Sequence, residues 1–261
     1  MMGRVAFHAL VGVLFLFLLA PVILVFPLSL SADSSMAWPP SGWSLRWYAA
    51  LVQHPGLMAA LRNSVLLALL VTAAALLLAI PAALAIARGR FPGREALFAL
   101  LTAPLLLPTI VLGLALLILF AGYGLIGTWI GLVLAHLLVA MPYATRVLVT
   151  ALGTLPAGLE DAAASLGAPP ATVFRRVTLR LILPGVAATC AIVCLVSFDE
   201  TVICLFVVGP RLTPFPVALF RYVQSRTDPL VAAAAAVMIL FTLAVVIVLD
   251  RLIGLKRAVG G

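Results

Sequence analysis

TLPAGLEDAAASLG, residues 154–167, is a short helix with both ends written into it. Pro156 suits a first helical turn. Glu160 and Asp161 come next, where carboxylates complement the positive end of a helix. Gly167 suits the stop, and Pro169 and Pro170 prevent continuation. Ala162 and Ala163 are paired small residues that let another surface approach the backbone closely. A solvated loop without a partner has little use for that shape. A second short helix can begin near Ala171 and Thr172, carrying Arg175 and Arg176.

The flanks of this stretch decide the fold. Segments 125–149 and 183–208 are apolar runs on either side of it. Each matches the roughly 20 residues needed to cross a hydrocarbon core. Moving outward, segments 97–120, 61–87, 10–30 and 230–252 have the same character, which makes six. Backbone groups in lipid must pair within their own segment, so these runs are helices. Apolar residues make up 65% of the 261 and charged ones only 9%. A soluble domain carries about 25% charged residues, so this chain must place apolar surface against lipid. The mean hydropathy of +1.29 says the same. The expected fold is an all-α membrane protein with six transmembrane helices. Pro21, Pro81, Pro104, Pro108 and Pro142 fall inside the spans, where each can kink its helix. The run 10–30 follows Arg4 as a signal peptide would. It exceeds the usual apolar length of about 7–15 residues and lacks a clear small-x-small cleavage site, so it reads as a retained span.

Charge sets the orientation. The formal net charge of +8 could suggest nucleic acid, but nucleic-acid binders gather their basic residues on one solvated face. Here they sit in short clusters between apolar runs, the pattern of membrane topology. One side collects Arg4, Arg88, Arg90, Arg94, Arg146, Arg175, Arg176, Arg180, Arg251, Lys256 and Arg257. The other holds Arg46, Arg62, Arg211, Arg221 and Arg226. The richer side is cytoplasmic, which places both termini there and turns loops 31–57 and 209–229 outward. In the first outer loop, Trp38, Trp43, Trp47 and Tyr48 read as anchors at the membrane surface, with contact to an external protein as the alternative.

Several chemistries lack their residues. A phosphate-binding loop needs a lysine after glycine, and the single lysine, Lys256, stands between Leu255 and Arg257. Any ATP binding therefore belongs to another chain. His8, His54 and His136 are far apart, and no cluster has metal-ligand spacing. His136, inside the fourth segment, reads as a hydrogen-bonding group toward a neighbouring helix rather than a substrate ligand. Cys190, Cys194 and Cys204 share one apolar stretch and read as small buried hydrophobes. No catalytic residues are expected.

The stretch DAAASLG at residues 161–167 resembles the EAA loop of the permease subunits of bacterial ATP-binding-cassette importers. The longer string LEDAAASLG is similar to the polyamine-type branch. Asp161 stands for the motif acid, Ala162 and Ala163 for its alanines, and Gly167 for its glycine. Arg180 occupies the place of a usual proline, and Pro184 follows four residues later. Further strings occur in order: SLRWY at 44–48, RNS at 62–64, SFDE at 197–200, GP at 209–210 and DPLVAAAA at 228–235. The resemblance implies a type I importer permease fold. It places a first helix and outer segment in residues 1–56, a permease core in 57–252 with a cytoplasmic coupling loop at about 150–181, and a cytoplasmic tail in 253–261. In the family this loop docks on the ATPase, which points to Glu160, Asp161, Ala162, Ala163 and Gly167. The implied partners are a second, related permease in a heterodimeric core, two cytoplasmic ATPase subunits that hold ATP and magnesium, and a periplasmic or extracellular solute-binding protein. This chain itself is expected to bind no cofactor, no metal and no nucleic acid, only its partners, solute and membrane lipid. The implied location is the bacterial inner membrane, and the implied solute is a polyamine such as putrescine or spermidine, or a related small organic solute.

Asp199 and Glu200 are adjacent carboxylates in the fifth segment. Acids at membrane depth normally face a bundle interior or a watery cavity. If both are helical, they point about 100° apart. One can then face a substrate pathway while the other pairs with a neighbour or caps a broken helix. Two rival readings remain: a secondary transporter or channel acting without an ATPase, and a membrane assembly protein that transports nothing.

Overall fold

Helices account for nearly the whole chain because the apolar runs have no other way to pair their backbone. The computed structural model describes residues 2–156 and 158–253. The expected tail beyond Ile253, with Lys256, Arg257 and Gly261, lies outside these residues. In chain order the helices are α1 (Met2–Ser29), α2 (Arg46–Gln53), α3 (Pro55–Arg88), α4 (Arg94–Thr102), α5 (Thr109–Tyr123), α6 (Trp129–Gly153), α7 (Gly158–Ser165), α8 (Pro170–Val173), α9 (Leu179–Leu181), α10 (Leu183–Asp199), α11 (Val202–Val207), α12 (Phe215–Ser225) and α13 (Leu230–Ile253). A 3₁₀ turn, Ala103–Leu106, follows α4, and a π turn, Phe174–Thr178, joins α8 to α9. Among the described residues the only β pairing is two isolated bridges, Ser31 with Trp43 and Gly209 with Leu212.

Among the described residues four helices are long and apolar enough to cross a membrane, and two bent pairs bring the total to as many as six. The third span differs from the expected continuous helix. It breaks between α4 and α5 with a bend of 104°. Pro104 and Pro108 together explain the break. Pro108 offers no N–H, and a residue before proline is driven out of the helical region. Leu107 accordingly sits at φ −98°, ψ 140°. Pro21, Pro81 and Pro142 remain inside continuous helices. A second bend, of 68°, lies between α9 and α10. There Pro184 occupies the first turn of α10.

The chain divides into two compact units, one of residues 1–59 with 218–242, the other of residues 60–217 with 243–261. In the first, the loop after α1 is built around Asp33. Its carboxylate accepts hydrogen bonds from the Ser41 hydroxyl, the Ser41 backbone N–H and the Ser31 hydroxyl. The Ser41 hydroxyl is the main reason its carboxyl is held below the usual range. The Asp33 carbonyl accepts from Arg46 Nη2 at 3.1 Å and Trp47 Nε1 at 3.2 Å. Tyr48 and Ser29 hydroxyls lie 2.7 Å apart. Trp47 and Tyr48 therefore hold the loop together, while Trp38 and Trp43 stay outward as surface anchors would, 62% and 67% exposed. In the same unit Asp228 caps the start of α13, accepting from the Leu230 N–H at 3.2 Å.

The second unit holds the main core. Leu67, Val71, Ala75, Ala79 and Ala83 recur every fourth residue on α3 and are all buried. On α6, Leu132, Ala135, Ala140, Ala144, Leu148 and Leu152 form a similar buried stripe. Small residues let membrane helices approach closely, because lipid offers no hydrophobic drive to compensate for loose packing. Helix α10 packs along α6, and α11 against α5. A Cβ built on Gly185 would come within 2.5 Å of the Ala151 Cβ, so α10 and α6 touch through their smallest residues. The turn before α6 lies on the chain after α11, with Gly127 N–H donating to the Val207 carbonyl at 2.9 Å.

Candidate coupling loop and substrate pathway

Helix α7 is eight residues long, with Glu160 and Asp161 in its first turn as expected. It starts at Gly158, so Pro156 stands just ahead of it rather than inside its first turn; the Pro156 carbonyl accepts from the Leu159 N–H at 3.2 Å. Its end is closed as the sequence indicates. Gly167 adopts φ +83°, its N–H donates to the Ala164 carbonyl at 2.9 Å, and the Ala168 N–H donates to the Ala163 carbonyl at 3.3 Å. This paired arrangement satisfies carbonyls that the helix end would leave bare.

No residue of α7 is buried. Asp161 and Ala162 are exposed and Ala163 is half-buried. Leu159 is 46% exposed and Leu166, beside the stop, is 90% exposed. Sequence reasoning passed over both leucines, although their seven-residue spacing on a polar loop was a usable signal. Glu160 is different from its neighbours. Its Oε2 pairs with Arg88 Nε at 2.9 Å and its Oε1 accepts from the Thr178 hydroxyl at 2.7 Å. It faces inward, and Arg88 and Thr178 join the site as residues that sequence reasoning did not single out.

The fifth span ends where the acids are. Asp199 closes α10. Glu200 leaves the helix at φ −66°, ψ 109°, and its Oε1 accepts from the Ile203 N–H at 3.0 Å. The expectation of two acids about 100° apart on one helix therefore fails, because the helix stops between them. Glu200 caps α11 instead. The Asp199 side chain is exposed and accepts no hydrogen bond among the described residues. Next to this break, buried His136 reaches from α6 to both flanking helices. Its Nδ1 lies 2.9 Å from Ser197 Oγ on α10 and its Nε2 3.0 Å from Cys204 Sγ on α11. His136 is the interhelical bridge expected of it. The cysteines are free, with Cys194 and Cys204 buried and Cys190 half-buried, as small core residues.

Comparison with known proteins agrees with this architecture. The chain is 33% identical over 237 residues to the putrescine transport system permease protein PotI of Escherichia coli (strain K12), covering 86% of this chain and 82% of that protein. It is 36% identical over 218 residues to the molybdenum transport system permease protein ModB of Mycobacterium bovis, covering 78% and 82%. In fold it is similar to a crystal structure of a bacterial ABC transporter involved in the import of the acidic polysaccharide alginate, with a TM-score of 0.73, 15% identity, and coverage of 97% of this chain and 95% of that one. Residues 75–255 match the family described as binding-protein-dependent transport system inner membrane component. The chain belongs to that family: it is a multi-pass inner-membrane permease subunit of an ATP-driven, binding-protein-dependent importer.

Proposed function

We propose that this chain forms one part of the translocation pathway of a polyamine importer and couples it to ATP hydrolysis on separate subunits. The observation that carries the coupling half is α7, which has no buried residue and is closed at Gly167. Asp161, Ala162, Ala163 and Leu166 form the face that enters the ATPase cleft, with Gly167 fixing its end. Two ATPase subunits bind ATP and magnesium, a second related permease completes the core, and an external binding protein delivers solute. The test is co-purification with the ATPase followed by substrate-stimulated ATP hydrolysis in lipid. Hydrolysis that ignores substrate, or uptake without any ATPase, would favour a secondary transporter.

Both termini are placed in the cytoplasm by the Lys and Arg asymmetry. With the native cysteines removed, a cysteine at Ser41 should react with a membrane-impermeant thiol reagent in intact cells. A cysteine at Gly93 should be shielded. Labelling at Gly93 from outside reverses the orientation.

The solute is read from charge. Relatives named for putrescine and for molybdenum transport are similar to this chain at comparable identity, so similarity alone does not choose the solute. Among the described residues Asp199 is an exposed acid whose side chain has no hydrogen-bonding partner, at a helix break, and an ammonium group gains from it where water is partly excluded. Glu200 is already occupied at the start of α11. Asp199→Asn should cut polyamine uptake by about tenfold or more, as loss of about 1.4 kcal/mol would. Glu200→Gln keeps an acceptor for the Ile203 N–H and should leave uptake near the parent level. Normal polyamine uptake by Asp199→Asn would remove the charge argument, and a complex that falls apart would make the acid structural.

A further inference from the structure

Glu160 stands one residue before the acid that matches the family motif, yet each of its carboxylate oxygens faces a group from another segment of the chain. Oε2 forms an ion pair with Arg88, 2.9 Å from its Nε but without a directed hydrogen bond, at the last residue of α3. Oε1 accepts a hydrogen bond from the Thr178 hydroxyl at 2.7 Å, at the end of the π turn that leads back to the membrane. Arg88 in turn donates from Nη2 to the Leu155 carbonyl at 3.3 Å, just beyond α6. The end of α3 and the return toward α10 thus meet at one acid, and Arg88 links the exit from α6 to the same point. A carboxylate that merely favoured the positive helix end would lie against its own first-turn N–H groups. This one is turned to side chains of two other segments. The remainder of α7 has no buried residue to fix its direction.

We infer that Glu160 is a positioning residue: with Arg88 and Thr178 it latches the coupling helix to α3 and to the return turn, so that motion of α7 is passed to both. Contact with the ATPase falls to Asp161, Ala162, Ala163 and Leu166. The latch rests on the coupling reading of α7 only for its purpose; the tie itself is a property of the chain alone. π turns are rare and collect at functional sites, and here the turn supplies the buried hydroxyl that completes the latch.

The test uses the full chain in lipid nanodiscs, first alone and then with its ATPase subunits, as Glu160→Gln, Arg88→Gln and the double variant. In the chain alone, amide exchange across α7 should speed up by about tenfold in each single variant and no further in the double, since one tie is lost either way. With the ATPase present, each variant should still co-purify with it but hydrolyse more ATP for each solute moved. Unchanged exchange overturns the latch, as do additive effects in the double variant. Glu160→Gln losing the ATPase while Arg88→Gln retains it also overturns it, because Glu160 is then a direct contact. If the parent chain itself never binds an ATPase, the coupling reading fails, and the exchange result still decides the latch.

Discussion

Gly167→Val should abolish transport while leaving the chain inserted in the membrane. At φ +83° a β-branched residue is a steric outlier, and a left-handed conformation costs an L-residue roughly 1–2 kcal/mol even before the branch is counted. Nothing lies within 4 Å of a Cβ built there, so the penalty is purely one of backbone shape. Helix α7 has only eight residues and no buried side chain, and an isolated helix of that length is not stable in water. Losing the stop at Gly167 frees the carbonyls of Ala163 and Ala164 and lets the last turn unwind, displacing Leu166 from its outward position. Asn, which tolerates the same conformation, should retain part of the activity. Ala163→Trp should reach the same end by a different cause, since forcing bulk into a tight contact costs roughly 1–3 kcal/mol or more. The measurements are membrane insertion, co-purification of the ATPase and substrate-stimulated hydrolysis. Full transport by both variants would remove the main support for docking through this face.

His136→Ala should produce the largest loss of stability. The ring is buried, and it bridges α6 to α10 and α11 across the break at Glu200 and Thr201. Hydrogen bonds between membrane helices are worth about 0.6 kcal/mol on average, so the two bonds alone would cost little. The emptied volume matters more, since large-to-small changes in packed cores cost about 2–5 kcal/mol. A thermal midpoint in detergent should fall by about 2–4 °C per kcal/mol for a chain of this size. Cys204→Ser keeps a polar partner for Nε2 and should be mild by comparison. An unchanged midpoint for His136→Ala would show that the helices on either side of the break hold together without the bridge.

The six apolar segments were legible because lipid allows so few alternatives to a continuous helix. The stop at Gly167 was legible because only a few residue types accept a left-handed turn. The broken third span was harder. Pro104 and Pro108 were visible, but a proline can also sit inside an unbroken membrane helix, as Pro21, Pro81 and Pro142 do here. Only the pair, with Leu107 trapped before the second, turns the chain by 104°. The direction of Glu160 could not be read at all. Its partner Arg88 is far away in the sequence, and a charge at the end of an apolar run serves equally as a topology signal. Asp199 and Glu200 were found together but could not be separated, because the break between them carries no glycine or proline to announce it.

The close crossing of Gly127 and Gly209 limits how this protein can change over generations. A Cβ on Gly127 would lie 2.9 Å from the Gly209 Cα, and a Cβ on Gly209 would lie 2.8 Å from the Gly127 Cα. The obstacle in each case is main chain, which cannot rotate aside as a side chain would. Neither position can acquire even a methyl group by a single substitution without moving the other strand of chain. At Gly127 the φ of +69° adds a second bar of its own. Two sites well separated in the gene therefore behave as one inherited unit. Any lineage that loses one glycine must first have rebuilt the path of the turn before α6, and selection at either position acts on both.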